Sequence, residues 1–489
     1  MAFRIDRIEL YVRETPPGRM AFALGKDGLS ADAKRRLLNP LAHVRMIVRD
    51  GKGNEAFGCA GDRLSVRWLD KRPGRSHTRK RRELVSLIEQ ARDVWLAHPE
   101  FDSPFDQWRT CHQQIMKAGD AADQEGLTSS FASALFERGM VDAVCRLAGN
   151  PVFLMVKTGQ LGFQPAAVHP ELKGLPFEKL LPQIPATRFA IRHTVGLLDP
   201  LTTDDQPKDK RVNDGLPETL AEYVRTDGIR CFKVKVSGNP DFDVQRLSRV
   251  WDVVAQAGQP LITLDANEAY SDLTVFEQFV RRFERENLGA FQHIAYIEQP
   301  LPRRLTLDAK TEKAIRSISE IKPLIIDEAD GRLDSWPRAK RIGYAGTSHK
   351  NCKGFFKSLM NHALAMHWSL EGDESFISAE DLQNLPVVPL QQDFATLGIL
   401  GVEHCERNGH HYNYGLSLLS EADKSRAVRQ HPDLYVQRED ESFLRIEDGM
   451  VECSSIHLGP GFGVLDEPDW ASMRPLREWC NERHPATSD

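Results

Sequence analysis

Apolar and polar positions alternate in the first fifty residues. Ile5, Ile8, Leu10 and Val12, then Met20 to Leu24, then Val44, Met46 and Val48 before an Asp50-Gly51 turn, predict antiparallel strands. After Arg82 the period changes. Leu84, Leu87, Ile88, Ala91, Val94 and Trp95 fit one face of a helix, and Phe131, Leu135, Val141 and Val144 suggest another.

From about Thr187 short apolar runs recur with helical stretches between them. They fall at Phe189 to Val195, Arg230 to Val236, Pro260 to Leu264, Ile294 to Ile297, Pro323 to Ile326, Tyr344 to Ser348, Ser375 to Ser378 and Leu400 to Glu403. Eight such runs predict an α/β chain whose parallel strands close into a (β/α) eightfold, TIM-like barrel. A chain of 489 residues exceeds the roughly 250–300 residues at which one core stops growing, so a second domain is expected. The expected division is an antiparallel sheet plus helices over 1–186, the barrel over 187–421, and a segment of short turns and polar strands over 422–489.

The barrel runs end in residues that carry chemistry. Lys233 and Lys235 lie on one strand, and Asp265, Glu298, Asp327 and Lys350 each close a later run, at intervals of 32, 33, 29 and 23 residues from Lys233 onward. One strand-helix-strand unit takes roughly 30 residues. In a parallel barrel such strand ends meet on one face, so the three carboxylates would converge. Three converging carboxylates repel one another unless a hard cation neutralises them, and Mg²⁺ with oxygen ligands is the natural occupant. Lys233 and Lys235 share parity and would point inward, where a neighbouring ammonium and a cation would lower a lysine toward the working range of a general base. Lys350 would face Lys235 across the barrel, with Lys353 close enough to compete for its role, while His349 would turn toward the helices.

These residues resemble the enolase superfamily, and within it the muconate-lactonising (mandelate racemase/muconate lactonizing enzyme) branch. Lys233-Val234-Lys235 looks like that family's Lys-x-Lys motif. Asp265-Ala266-Asn267, Glu298-Gln299-Pro300 and Asp327-Glu328 are similar to its three metal-ligand motifs, and Lys350 to its sixth-strand lysine. The resemblance implies a capping domain built from the N-terminal part, with the C-terminal segment returning to it. It also implies a Mg²⁺-chelating carboxylate substrate, an enediolate stabilised by the metal and Lys233, Lys235 and Lys350 as base and acid on opposite faces, and Asn267 and Glu328 as supporting residues. The usual Gly-Gly after the sixth-strand lysine is here Gly354-Phe355, and no His stands at the seventh strand. At the eighth, Arg407, His410 and His411 could bind a distal anionic group of the substrate, and a polar surface loop explains them equally well.

Composition narrows the alternatives. A net charge of −6 offers no general attraction to nucleic acid or to acidic membranes. The basic stretch from Lys71 to Arg82 reads as a solvated loop entering a helix. Eight scattered cysteines without a Cys-x-x-Cys pair suit a reducing, cytoplasmic setting. No signal peptide or membrane-length apolar run stands out. The expectation is a Mg²⁺-dependent isomerase acting on a small carboxylate, with a homo-oligomer left open. A lyase or dehydratase acting on an acid sugar, a Schiff-base aldolase using Lys235, and a non-catalytic scaffold barrel stand beside it.

Overall fold

The computed structural model describes residues 2–21 and 40–485. The N-terminal alternation becomes β1 (Phe3–Arg13), β2 (Leu41–Asp50) and β3 (Glu55–Arg63), paired antiparallel in that order, with β4 (Glu100–Phe101) against the start of β1. Ile5, Ile8, Val12, Val44, Met46 and Val48 are all buried. The helix Gly126–Ala148 lies on β2 and β3, with helices His77–Ala97 and Pro104–Ala121 beside it. A Cβ at Gly58 would collide with the carbonyl oxygen of Gly139, so glycine is what lets this helix close on the sheet. Of the strand expected over Met20 to Leu24, Met20 and Ala21 lie outside any strand, and 22–24 lie outside the described residues.

Eight parallel strands form the barrel: β5 (Arg188–Val195), β6 (Cys231–Lys235), β7 (Leu261–Asp265), β8 (Ile294–Glu298), β9 (Leu324–Ile326), β10 (Gly346–His349), β11 (Phe376–Ala379) and β12 (His404–Arg407). Each pairs with the next from β5 to β11, and β12 returns to β5, so the sheet closes except for the seam between β11 and β12. The helix after β6 shows why the units form. Asn239 accepts from the backbone N–H of Asp241 and Phe242, Pro240 starts the first turn, and Val244, Leu247, Val250 and Val254 bury one face.

The eighth strand corrects an expectation. Leu400 ends the helix Val388–Leu400, and the strand runs over 404–407 instead of 400–403. Both faces of this strand are polar: Glu406 meets Lys233 inside the barrel, while Arg407 meets Asp393 of the neighbouring helix. An apolar run could not mark it.

The C-terminal segment touches both parts of the molecule. After the hairpin of β13 (Tyr435–Arg438) and β14 (Glu441–Leu444), β15 (Met450–Glu452) adds antiparallel to β5, and β16 (Arg474–Pro475) pairs with β1. The basic stretch is consumed internally, Arg72 and Arg75 meeting Asp70, Glu83 and Asp123 at 2.5–2.7 Å. Among the described residues no helix is long and apolar enough to cross a membrane.

Candidate active site

Register places the motifs side by side. Lys235 on β6 is the direct cross-strand neighbour of Asp265 on β7, which is the neighbour of Glu298 on β8. In a parallel barrel such residues form one inward layer. Lys233 lies two residues earlier on the same face, and Asp327 lies just past β9, two residues beyond the cross-strand partner of Glu298. All are buried, with Lys235 5% and Lys350 4% exposed. Gln299 fixes the spacing of the fourth and fifth strand ends, its side-chain oxygen accepting from the backbone N–H of Asp327 at 2.9 Å and Ala329 at 3.1 Å.

The four lysines differ in how many of their three N–H donors are engaged. Lys233 is enclosed by four carboxylates, 3.0 Å from Asp265, 2.7 Å from Glu298, 2.5 Å from Glu380 and 3.0 Å from Glu406, and donates to the last two. Lys353 donates to Ser348 Oγ at 2.6 Å and to the Ser348 carbonyl at 3.3 Å, and its ammonium lies 2.8 Å from Asp327 Oδ1. Lys235 donates to Asp265 Oδ2 at 2.5 Å and Asn267 Oδ1 at 2.8 Å. Lys350 donates only to Asp327 Oδ2 among the described residues, at 2.6 Å, and its ammonium sits 4.1 Å over the ring of Trp68. Lys235 and Lys350 are thus the two with fewer partners. Asn267 joins Lys235 to Glu328, its amide donating to Glu328 Oε1 at 2.9 Å.

The electrostatics follow from this pairing. Burial would lower Lys233, but Asp265, Glu298, Glu380 and Glu406 hold it well above the usual lysine range. Burial likewise opposes the charge of Lys350, and Asp327 overcomes it, raising the lysine. Lys233 and Lys350 are thus raised, because each ammonium lies within 3.0 Å of a carboxylate. Asp327 is held well below the carboxylate range by Lys350 and Lys353 despite burial. Glu298 goes the other way: burial, then Asp265 and Glu380, push it well up against the pull of Lys233. Glu406 is held well below its usual value, against burial, by Lys233, Lys235 and Lys350. All three lysines therefore act on one interior.

The donor set fits a hard cation in type, since Asp265, Glu298 and Asp327 offer only oxygen. Among the described residues neither buried oxygen of Glu298 accepts a hydrogen bond. Among the described residues no three Asp, Glu, His or Cys side chains are gathered closely enough to hold an ion as they stand. The aspartates are turned to their lysines instead.

Three further residues belong to this interior and were not singled out from the sequence. Glu380, just past β11, accepts from Tyr296 at 3.0 Å and pairs with Lys233 and Arg192, and Glu406 accepts from Thr194 at 2.6 Å. Arg192 is an inward residue of β5, fully buried. An acid directly after the seventh apolar run was a usable signal for Glu380. For Glu406 there was none.

The expected anion-binding group sits elsewhere. Arg407 points outward to Asp393 at 2.5 Å and lies 4.4 Å over Phe394. His410 meets His193 at 3.0 Å, and His411 meets the Tyr223 hydroxyl at 3.0 Å. Arg407 and His410 line a separate cavity with Tyr223, Leu385, Leu416 and Phe443. His349 does turn to the helices, with Ser358 at 2.7 Å and Asp393 at 3.1 Å. The resemblance also implies that the loop around Pro16 to Lys26 would close over the barrel mouth and choose the substrate; its described part ends at Ala21. Its Arg19 binds Asp214 at 2.5 Å and the His411 carbonyl at 3.2 Å.

Comparison with known proteins agrees with this architecture. Residues 215–346 match the family model described as enolase C-terminal domain-like. A Bradyrhizobium enolase solved with magnesium and mandelic acid superposes with a TM-score of 0.58 at 15% identity, over 96% of this chain and 98% of that one. A mandelate racemase/muconate lactonizing enzyme from Bordetella bronchiseptica RB50 gives 0.55 at 16% identity, over 98% and 99%. A dipeptide epimerase from Methylococcus capsulatus, solved with Mg and the dipeptide L-Arg-D-Lys, gives 0.54 at 15% identity, over 95% and 100%. Among curated protein sequences none matches. The chain has the fold of these solved structures, and within it residues 215–346 match the enolase C-terminal domain-like model.

Proposed function

We propose that this protein is a Mg²⁺-dependent enzyme that removes the α-proton of a small carboxylate and returns it on the other face, as a racemase, epimerase or cycloisomerase. The observation that carries the reading is the division among the lysines. Lys233 is enclosed by four carboxylates and Lys353 is held by Ser348 and Asp327 through three oxygens, whereas Lys235 and Lys350, each tied to a different one of the three carboxylates, have fewer partners.

Asp265, Glu298 and Asp327 would hold the ion. When bound it would neutralise those carboxylates, loosen their grip on Lys235 and Lys350, and polarise the carboxylate of the substrate. Lys233, fixed by Glu380 and Glu406 as well, stays protonated and would stabilise negative charge developing on the substrate carboxylate. Lys235 and Lys350 would each take or give a proton at the α-carbon, one from either side. Asn267 orients Lys235, and Glu328 orients Asn267.

The test is deuterium exchange at the α-carbon of a carboxylic-acid library in D₂O, with and without Mg²⁺. The reading predicts Mg²⁺-dependent exchange of at least one acid, lost on chelation. Covalent trapping by borohydride, or exchange indifferent to the ion, would contradict it.

A further inference from the structure

Lys350 is held in an unusual way. Its ammonium has one carboxylate partner, Asp327, and on another side rests on the face of Trp68 at 4.1 Å. A ring face attracts an ammonium without using up a donor direction. Lys353, three residues on, has no such ring and directs all its donors at Ser348 and Asp327.

Trp68 does not belong to the barrel. It lies in the short turn Val66–Leu69 that follows β3 of the cap and is 3% exposed. Arg303, at the start of the short helix Arg303–Thr306 after β8, donates to the carbonyls of Trp68 at 2.8 Å and Leu69 at 3.0 Å. The same guanidinium binds Glu268, past the end of β7, through two bonds of 2.9 Å, and Glu125 at the start of a cap helix. Arg303 therefore pins the cap turn against the segments that follow β7 and β8, the strands that end in Asp265 and Glu298. Trp68 delivers that placement to Lys350.

We infer that Trp68 is a positioning residue for Lys350, supplied by the cap and set in place by Arg303, so that the proton-carrying group on one face of the site is complete only when the cap turn is docked. The inference rests on the proposed two-lysine reading for its catalytic meaning. Lys235 takes its position from Asp265 and Asn267, both of the barrel, so the two faces have separate supports.

Two readouts test this on the full chain with Mg²⁺. In the first, trace acetylation with acetic anhydride at fixed pH is read lysine by lysine by mass spectrometry. Trp68→Leu is expected to raise Lys350 acetylation about five-fold, with Lys233 and Lys353 unchanged, while Trp68→Phe, which keeps a ring face, stays near the parent value. Arg303→Lys, which leaves the indole but removes the fork, is expected to give an intermediate rise. In the second, each enantiomer of an acid that exchanges with the parent is followed in D₂O. Trp68→Leu is expected to slow α-hydrogen exchange about 10- to 100-fold for one enantiomer only, the one served by Lys350, and Trp68→Phe restores it. Equal slowing of both enantiomers, or acetylation that rises at all the buried lysines together or at none, would overturn the proposal. If the parent exchanges no acid at all, the functional reading fails by itself, and the acetylation pattern still decides whether Trp68 positions Lys350.

Discussion

Lys233 lies 2.7 Å from Glu298 Oε2, yet among the described residues neither oxygen of that glutamate accepts a hydrogen bond. The ammonium is shared among four carboxylates and satisfies Glu298 least. This leaves Glu298 the most strained acid of the interior, pushed up by burial and by Asp265 and Glu380, and Lys233 the group that makes the whole cluster tolerable.

Removing Lys233 should therefore cost stability before it costs chemistry. Lys233→Met leaves four buried carboxylates without their common partner, and breaking a buried ion pair typically costs about 3–5 kcal/mol. Urea unfolding should show a loss of at least that size, smaller when Glu298→Gln is added. Equal stability in parent and variant would mean the cluster is neutralised some other way.

The pair of Arg192 and Glu380, both fully buried, closes the same interior from β5 to β11. It bridges toward the seam at which β11 and β12 are not paired. A double-mutant cycle of Arg192→Met and Glu380→Gln should give a coupling of about 2 kcal/mol, with the double variant less damaged than the sum of the singles. Additive losses would show that the two side chains act independently.

Acid should weaken the fold through His43. Burial, helped by Arg13, lowers it to about 3, and neither ring nitrogen has a partner. Its unfolded value is about 6.5, so between these limits the unfolded chain binds a proton that the folded chain refuses. Stability then rises with pH across that window and is lost as pH falls below about 6.5. At pH 5 the loss from this one residue is about 2 kcal/mol. His43→Leu should flatten the acid limb of the stability profile by that amount. An unchanged limb would put the acid sensitivity elsewhere, for instance in His112 or His404, which burial also lowers to about 3.

How much of this was legible in the sequence depends on what marks a strand. Seven barrel strands announce themselves because apolar residues flank the chemistry: Phe232 and Val234 are buried around Lys233, and Ile297 precedes Glu298. β12 has no such flank. Its outward Arg407 is answered by Asp393 and its inward Glu406 by Lys233 and Thr194, so it reads as a loop, and the apolar stretch ending at Leu400 belongs to a helix. That four-residue displacement sent the anion-binding expectation to Arg407 and hid Glu406. Lysine pairing was hidden for a different reason. Parity places Lys233 and Lys235 inside, but which carboxylate each one meets depends on cross-strand register, and register cannot be read from one strand.

The account turns on whether Asp265, Glu298 and Asp327 share one divalent ion. Mn²⁺, which takes the same oxygen ligands as Mg²⁺, can be titrated into the full chain and followed by electron paramagnetic resonance. One ion per chain, displaced by Mg²⁺ and lost or severely weakened in Glu298→Gln and Asp327→Asn, is the predicted result. No bound ion, or binding that survives both substitutions unchanged, would contradict it.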